Sequence, residues 1–143
     1  MLESGEVRKR LRQTIEAAKR DAAARRAALG DVQKEYDAFL ENHAMPVFRQ
    51  IAGALRAEGH VFQVVSPAGN IRLVSERDKD DYLELFFDVD RQFPTVVGRV
   101  SRVRGTELTS SEQPVRGNAK VSDLTGEDVL DWILRVIVPF VER

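Results

Sequence analysis

The chain contains no cysteine. That absence excludes disulfide scaffolds, zinc–thiolate sites, iron–sulfur clusters and thiol nucleophiles. Histidine is scarce: His43 and His60 stand seventeen residues apart, with no third ligand at a metal-like spacing. No Rossmann, Walker, kinase or zinc-protease pattern occurs, and the serines of "LTSSEQ" lack the glycine-flanked elbow of a hydrolase. No apolar run is long enough to span a bilayer, and "MLESGEVRKRLRQ" is charged from its third residue. The net charge is −1, so the chain lacks the basic excess that drives duplex binding. These absences lead to the expectation of a soluble cytoplasmic protein, bacterial in style, with no cofactor and no membrane partner.

What remains is an ordinary globular composition, 43% hydrophobic and 31% charged, over 143 residues. That length supports one full core. The charge is unevenly spread. Residues 1–30 hold eight basic and four acidic residues, leaving fourteen basic and nineteen acidic residues in the other 113. Residues 1–30 thus carry +4 and the rest of the chain −5, a basic arm on an acidic body, and the expected organisation is a basic helical arm over 1–41 and an α+β body over 42–143.

The arm reads as helix, rich in Ala, Arg, Lys, Glu and Leu and free of proline. Val7, Leu11, Ile15, Ala18, Ala22 and Leu29 form a narrow stripe that continues in phase through Val32, Tyr36, Phe39 and His43. The maintained phase favours one helix through Gly30 over a helical hairpin. A second helix follows Pro46, with Val47, Phe48, Ile51, Ala52 and Leu55 as its buried face and Gly59 as its stop. Pro46 is expected to push Met45 out of helical geometry and bend the chain.

The period then changes from 3.6 to 2. Strands are expected at 60–66, 70–76, 82–89 and 95–103, as an antiparallel meander. The stretch "TSSEQPVRGNAKVSD" reads as turns, with at most a short edge strand around Pro114–Arg116 or Ala119–Val121. A final amphipathic helix starts at a Thr125–Asp128 capping box. Its broad face is Val129, Leu130, Ile133, Val136, Ile137 and Phe140, bordered by Trp132, and Pro139 loosens its last turn.

Three constellations carry the functional question. The first is the arginine row Arg99, Arg102 and Arg104 in "VVGRVSRVRG". Pairing Phe87 with Gly98 and Leu85 with Val100 turns the apolar sets of strands three and four to one side. Arg99 then lies on the other side, among Glu84, Phe86 and Asp88, as a neutralised residue. Arg102 and Arg104 lie near the acids of 76–81. Together with Tyr82 and Phe86 they form the candidate binding surface, aromatic and polar-rimmed.

The second constellation is the basic arm, represented by Arg8, Arg12, Lys19, Arg20 and Arg26. It suits the wet flank of a paired helix or, alternatively, a phosphate track. The third is Asp88 and Asp90, two acids at a strand end that suit either a divalent metal or an acid-stabilised turn.

The fold expectation is α+β: a long N-terminal helix plus a short helix, a four- to five-stranded antiparallel meander and a C-terminal amphipathic helix. The leading functional expectation is a non-catalytic interaction module that binds a protein partner or a second copy through its N-terminal helix. The alternatives are a nucleic-acid-associated protein using the basic arm and a metal-dependent enzyme using Asp88 and Asp90. A small-molecule pocket between sheet and helices would leave no signature in sequence.

Overall fold

The computed structural model describes residues 1–91 and 93–142. Two helices open the chain, α1 (Ser4–Phe39) and α2 (Met45–Ala57), joined by a π-turn over Leu40–Ala44. Five strands follow: β1 (Phe62–Val65), β2 (Ile71–Ser75), β3 (Tyr82–Asp88), β4 (Thr95–Arg104) and β5 (Glu107–Pro114). Helices α3 (Gly126–Val136) and α4 (Val138–Val141) complete the fold. The strands lie in the order β1-β2-β3-β4-β5, each antiparallel to the next. The expected α+β architecture is the observed one. The chain divides into two compact units, Met1–Lys34 and Glu35–Arg143.

Gly30 does not interrupt α1. A glycine inside a helix costs only about 1 kcal/mol. Pro46 has a subtler effect than a break. Met45 keeps helical dihedrals, φ −59° and ψ −46°, against the expectation that it would leave the helix. Instead the preceding turn widens, and the Met45 N–H donates to the Leu40 carbonyl, five residues back. The wider turn accommodates a proline that has no N–H and whose ring crowds the carbonyl four residues before it.

The strand register follows from the apolar alternation, with a correction. Leu85 pairs with Gly98, Leu83 with Val100 and Phe87 with Val96. The expected pairing is therefore displaced by two residues. Sidedness survives because a two-residue shift preserves the pleat. The connection is longer than expected: Asp88 pairs with Thr95, and Val89, expected on the apolar side of the strand, is 45% exposed beyond its end.

The polar segment from Glu107 to Pro114 is an eight-residue strand, not a run of turns. Gly105, at φ +65°, allows the tight reversal that places Glu107 opposite Arg104. Every residue from Glu107 to Gln113 is exposed. An edge strand with so little to bury gives no hydrophobic signal.

One sheet face is the core. Ile71, Leu73, Leu83, Leu85 and Val96 are fully buried there. Phe48, Val129, Trp132 and Ile133 are fully buried in the helical layer. Trp132 sits directly on Gly98, where an added Cβ would overlap the indole carbons. Tyr36 joins the core of the second unit, with its ring stacked 5.0 Å from Phe87 and its hydroxyl donating to Asn70 Oδ1 at 3.4 Å. Burial, reinforced by the charges of Asp37 and Glu84, pushes the Tyr36 hydroxyl pKa well up. The capping box forms as expected: the Asp128 N–H donates to Thr125 Oγ1 and the Thr125 N–H to Asp128 Oδ2. Pro139 divides the C-terminal helix into α3 and α4 rather than loosening one turn.

Two outcomes follow. Gly98→Ala forces Trp132 off the sheet and lowers stability by about 1–3 kcal/mol, the usual cost of overpacking a core; a lower urea midpoint at unchanged slope would show it. Tyr36 is held neutral in the folded state, so the unfolded chain releases that proton first as pH rises past the ordinary value of 10.0. Its stabilisation is complete below that pH and declines above it. Tyr36→Phe should flatten the alkaline limb of the stability–pH curve; an unchanged limb would rule this out.

Candidate functional site

The sheet face opposite the core is organised around one carboxylate. Glu84 is 1% exposed and central in β3. Alternation along β2 and β4 puts Arg72 and Arg99 on the same face, paired across the strands with Glu84. Arg72 donates through Nε and Nη2 to Glu84 Oε1 at 3.3 and 3.1 Å. Arg99 Nη1 donates to Glu84 Oε2 at 3.0 Å, while its Nε reaches Glu112 Oε1 on β5 at 2.9 Å. Each Glu84 oxygen thus has a cationic donor, which offsets the cost of removing the charge from water.

The aromatics belong to the same arrangement. The Arg72 guanidinium lies 3.9 Å from the Tyr82 ring centroid, and that of Arg99 lies 4.5 Å from the Phe86 centroid. Such contacts contribute about 0.5–2 kcal/mol each. Burial works against the Arg99 charge. The hydrogen bond that Arg99 donates to Glu112 and the charges of Glu112 and Glu84 outweigh it and raise the guanidinium pKa. Two arginines and two glutamates balance, so among the described residues this network holds no surplus cation for an anionic partner. Tyr82 and Phe86 are each engaged by an arginine.

The proposed binding surface is split by the pleat. Tyr82 and Phe86 share the Glu84 face. Arg102 and Arg104 alternate with Arg99 and belong to the face of Gly98 and Val100. Arg104 is exposed opposite Glu107. Arg102 is half-buried, its guanidinium carbon 6.0 Å from the Phe140 centroid and its Nε buried without a hydrogen-bond partner. The acids expected near these arginines are not a loose cluster. Asp81 is fully buried and accepts the Val103 N–H at 2.8 Å, and Ser101 Oγ donates to the Asp80 carbonyl at 2.7 Å.

Asp88 forms an acid-stabilised turn. Its oxygens accept the Asp90 N–H at 3.0 Å and Arg91 Nε at 3.1 Å. Among the described residues, no group of three or more His, Asp or Glu side chains converges to hold a metal. His43 is exposed, its ring 6.1 Å from Phe39. His60 lines a cleft of about 300 Å³ with Ser75 and Asp81. Both partners are engaged by the backbone: Ser75 Oγ accepts the Arg77 N–H and Asp81 Oδ1 accepts that of Val103.

Along the arm, Arg8, Arg12, Lys19, Arg20 and Arg26 are exposed, as are Val7, Leu11, Ile15 and Leu29 at 45–57%. The expected faces of α2 and α3 are also less buried than their periodicity implied. Of the α2 set only Phe48 is buried, and Leu130 of α3 lies half-exposed beside Val47 and Ile51. Trp132, read as a border residue, is central. Arg72 and Glu112, the outer members of the Glu84 network, escaped the sequence reading. Arg72 had a signal, because Ile71 and Leu73 flank it on the buried side. Glu112 had none, since its strand was not recognised. Among the described residues, no helix is long and apolar enough to cross a membrane.

Glu84→Gln should cost about 3 kcal/mol, because it leaves two partly buried guanidinium groups without a full counter-charge. Glu112→Ala, at an exposed position, should cost under about 1 kcal/mol. Chemical denaturation of both variants would test the contrast, and equal effects would refute the central role of Glu84. Compared with known proteins, the chain matches no family model, no curated protein and no solved structure.

Proposed function

We propose that the protein is a non-catalytic interaction module that self-associates through its N-terminal helix. The observation that carries this reading is the exposed apolar stripe of α1. Val7, Leu11, Ile15 and Leu29 are each 45–57% exposed on a helix of 36 residues. Within residues 1–34 no side chain is buried. A helix with these residues in water gains little from intrinsic propensity alone, and most helical stability in proteins comes from packing an apolar face.

The partner is a second copy. From Leu11 the apolar positions recur at alternating spacings of four and three: Ile15, Ala18, Ala22, Arg25, Leu29 and Val32. This is the 3.5-residue repeat of a coiled coil, interrupted only at Arg25. In a parallel pair the flanking Asp21 of one copy faces Arg26 of the other, five residues on. Small Ala18 and Ala22 permit close approach at the centre, and Leu11, Ile15 and Leu29 supply the apolar area on either side. The same basic residues would serve a phosphate track. The sheet offers that alternative little help, because Arg99 is already paired with two carboxylates.

Sedimentation of the full chain should show a concentration-dependent dimer that persists in high salt. Leu11→Glu with Ile15→Glu should return it to monomer with the sheet intact. Because the chain has no cysteine, Leu11→Cys should also give a disulfide-linked dimer on mild oxidation. A wild-type monomer at the highest soluble concentration would overturn the reading. Salt-sensitive retention on DNA or RNA by such a monomer would favour the nucleic-acid alternative.

A further inference from the structure

We infer that the cleft between the β4–β5 edge and the α3–α4 junction binds the phosphate group of a small phosphomonoester. The cleft measures about 270 Å³ and has Arg102 and Arg135 among its lining residues. Thr109 and Ser111, opposite Arg102 and Val100 on the same side of the pleat, supply two hydroxyls, that of Thr109 also donating to the Arg102 carbonyl at 3.4 Å, and no acidic side chain contributes to the lining. Two guanidinium groups beside hydroxyl donors, with no carboxylate, match the chemistry of a phosphate dianion.

The arginines differ from those on the Glu84 face. Arg72 and Arg99 are both paired with glutamate, whereas Arg102 and Arg135 form no ion pair among the described residues. Among the described residues, Arg135 donates to a backbone carbonyl, that of Val115, at 3.3 Å. Arg102 is the clearer case, because its Nε is buried without a hydrogen-bond partner. A buried donor in that condition carries a desolvation cost that an arriving acceptor would relieve. The rest of the wall is Val100, Val136 and Pro139. That apolar surface gives the organic part of an ester a place to lie, which free phosphate would not use.

The assignment is independent of self-association through α1. It can be tested by amide NMR titration of the full chain with phenyl phosphate and, separately, with inorganic phosphate. Phenyl phosphate should shift the Thr109, Ser110 and Ser111 amides and bind more tightly than inorganic phosphate. Arg102→Gln and Arg135→Gln should each weaken binding about tenfold or more. Arg104→Gln, on the exposed end of the same strand, should leave it unchanged. The amide spectrum reports whether each variant is folded. No shifts with either probe, or equal losses in all three variants, would overturn the site. Equal affinity for the two probes would overturn the choice of an ester.

Discussion

The buried carboxylate of Glu84 is the point on which the sheet's outer face depends. A charge that is 1% exposed is tolerable only with full compensation, and the compensation comes from both neighbouring strands. Arg72 must stand opposite on β2 and Arg99 opposite on β4, and Glu112 extends the chain of contacts to β5. Four strands are thus tied in one register by a continuous chain of ion pairs. A one-residue slip would leave Glu84 among apolar groups and send Arg99 into the core. A two-residue slip would keep the sidedness but separate the charges. The network excludes both errors, whereas apolar alternation excludes only the first.

This difference explains how much of the fold was legible in the sequence. Alternation in "YLELFFDV" and "TVVGRVSRV" identified two strands and their sides, because the pleat imposes a period of two on burial. It gave the wrong pairing by two residues, because apolar side chains are nearly interchangeable along a strand. The capping box at Thr125 was legible because its two side-chain bonds are local. Strand β5 was not, because its residues bury almost nothing and its position is fixed by pairing with β4. Pro46 was misjudged for a related reason: a π-turn can absorb a proline within a continuing helical path, and no residue pattern announces it.

The candidate sites were legible in part. Arg99 was read as neutralised beside Glu84 and Asp88; Glu84 does hold it, but the second carboxylate is Glu112, while Asp88 serves its own turn. Arg102's neighbours in space come from β5, α3 and α4, so the lining of its cleft depends on tertiary packing that no local pattern contains. Trp132 is another case of distant dependence. A residue that looked peripheral on its helix is central because Gly98, thirty-four positions earlier, leaves room for its ring. The exposed stripe of the arm was the easiest to see, since helical spacing alone reveals it.

The polar character of β5 has a further effect on solution behaviour. An outermost strand presents unpaired backbone groups that invite another chain to extend the sheet. From Glu107 to Gln113 the side chains are Glu, Leu, Thr, Ser, Ser, Glu and Gln, and only Leu108 is apolar. A strand added there would gain hydrogen bonds that water already supplies and would bury almost no oil-like surface. Open-ended polymerisation along this edge therefore has little driving force, and the residues that hid the strand from view also guard it against fibrous growth.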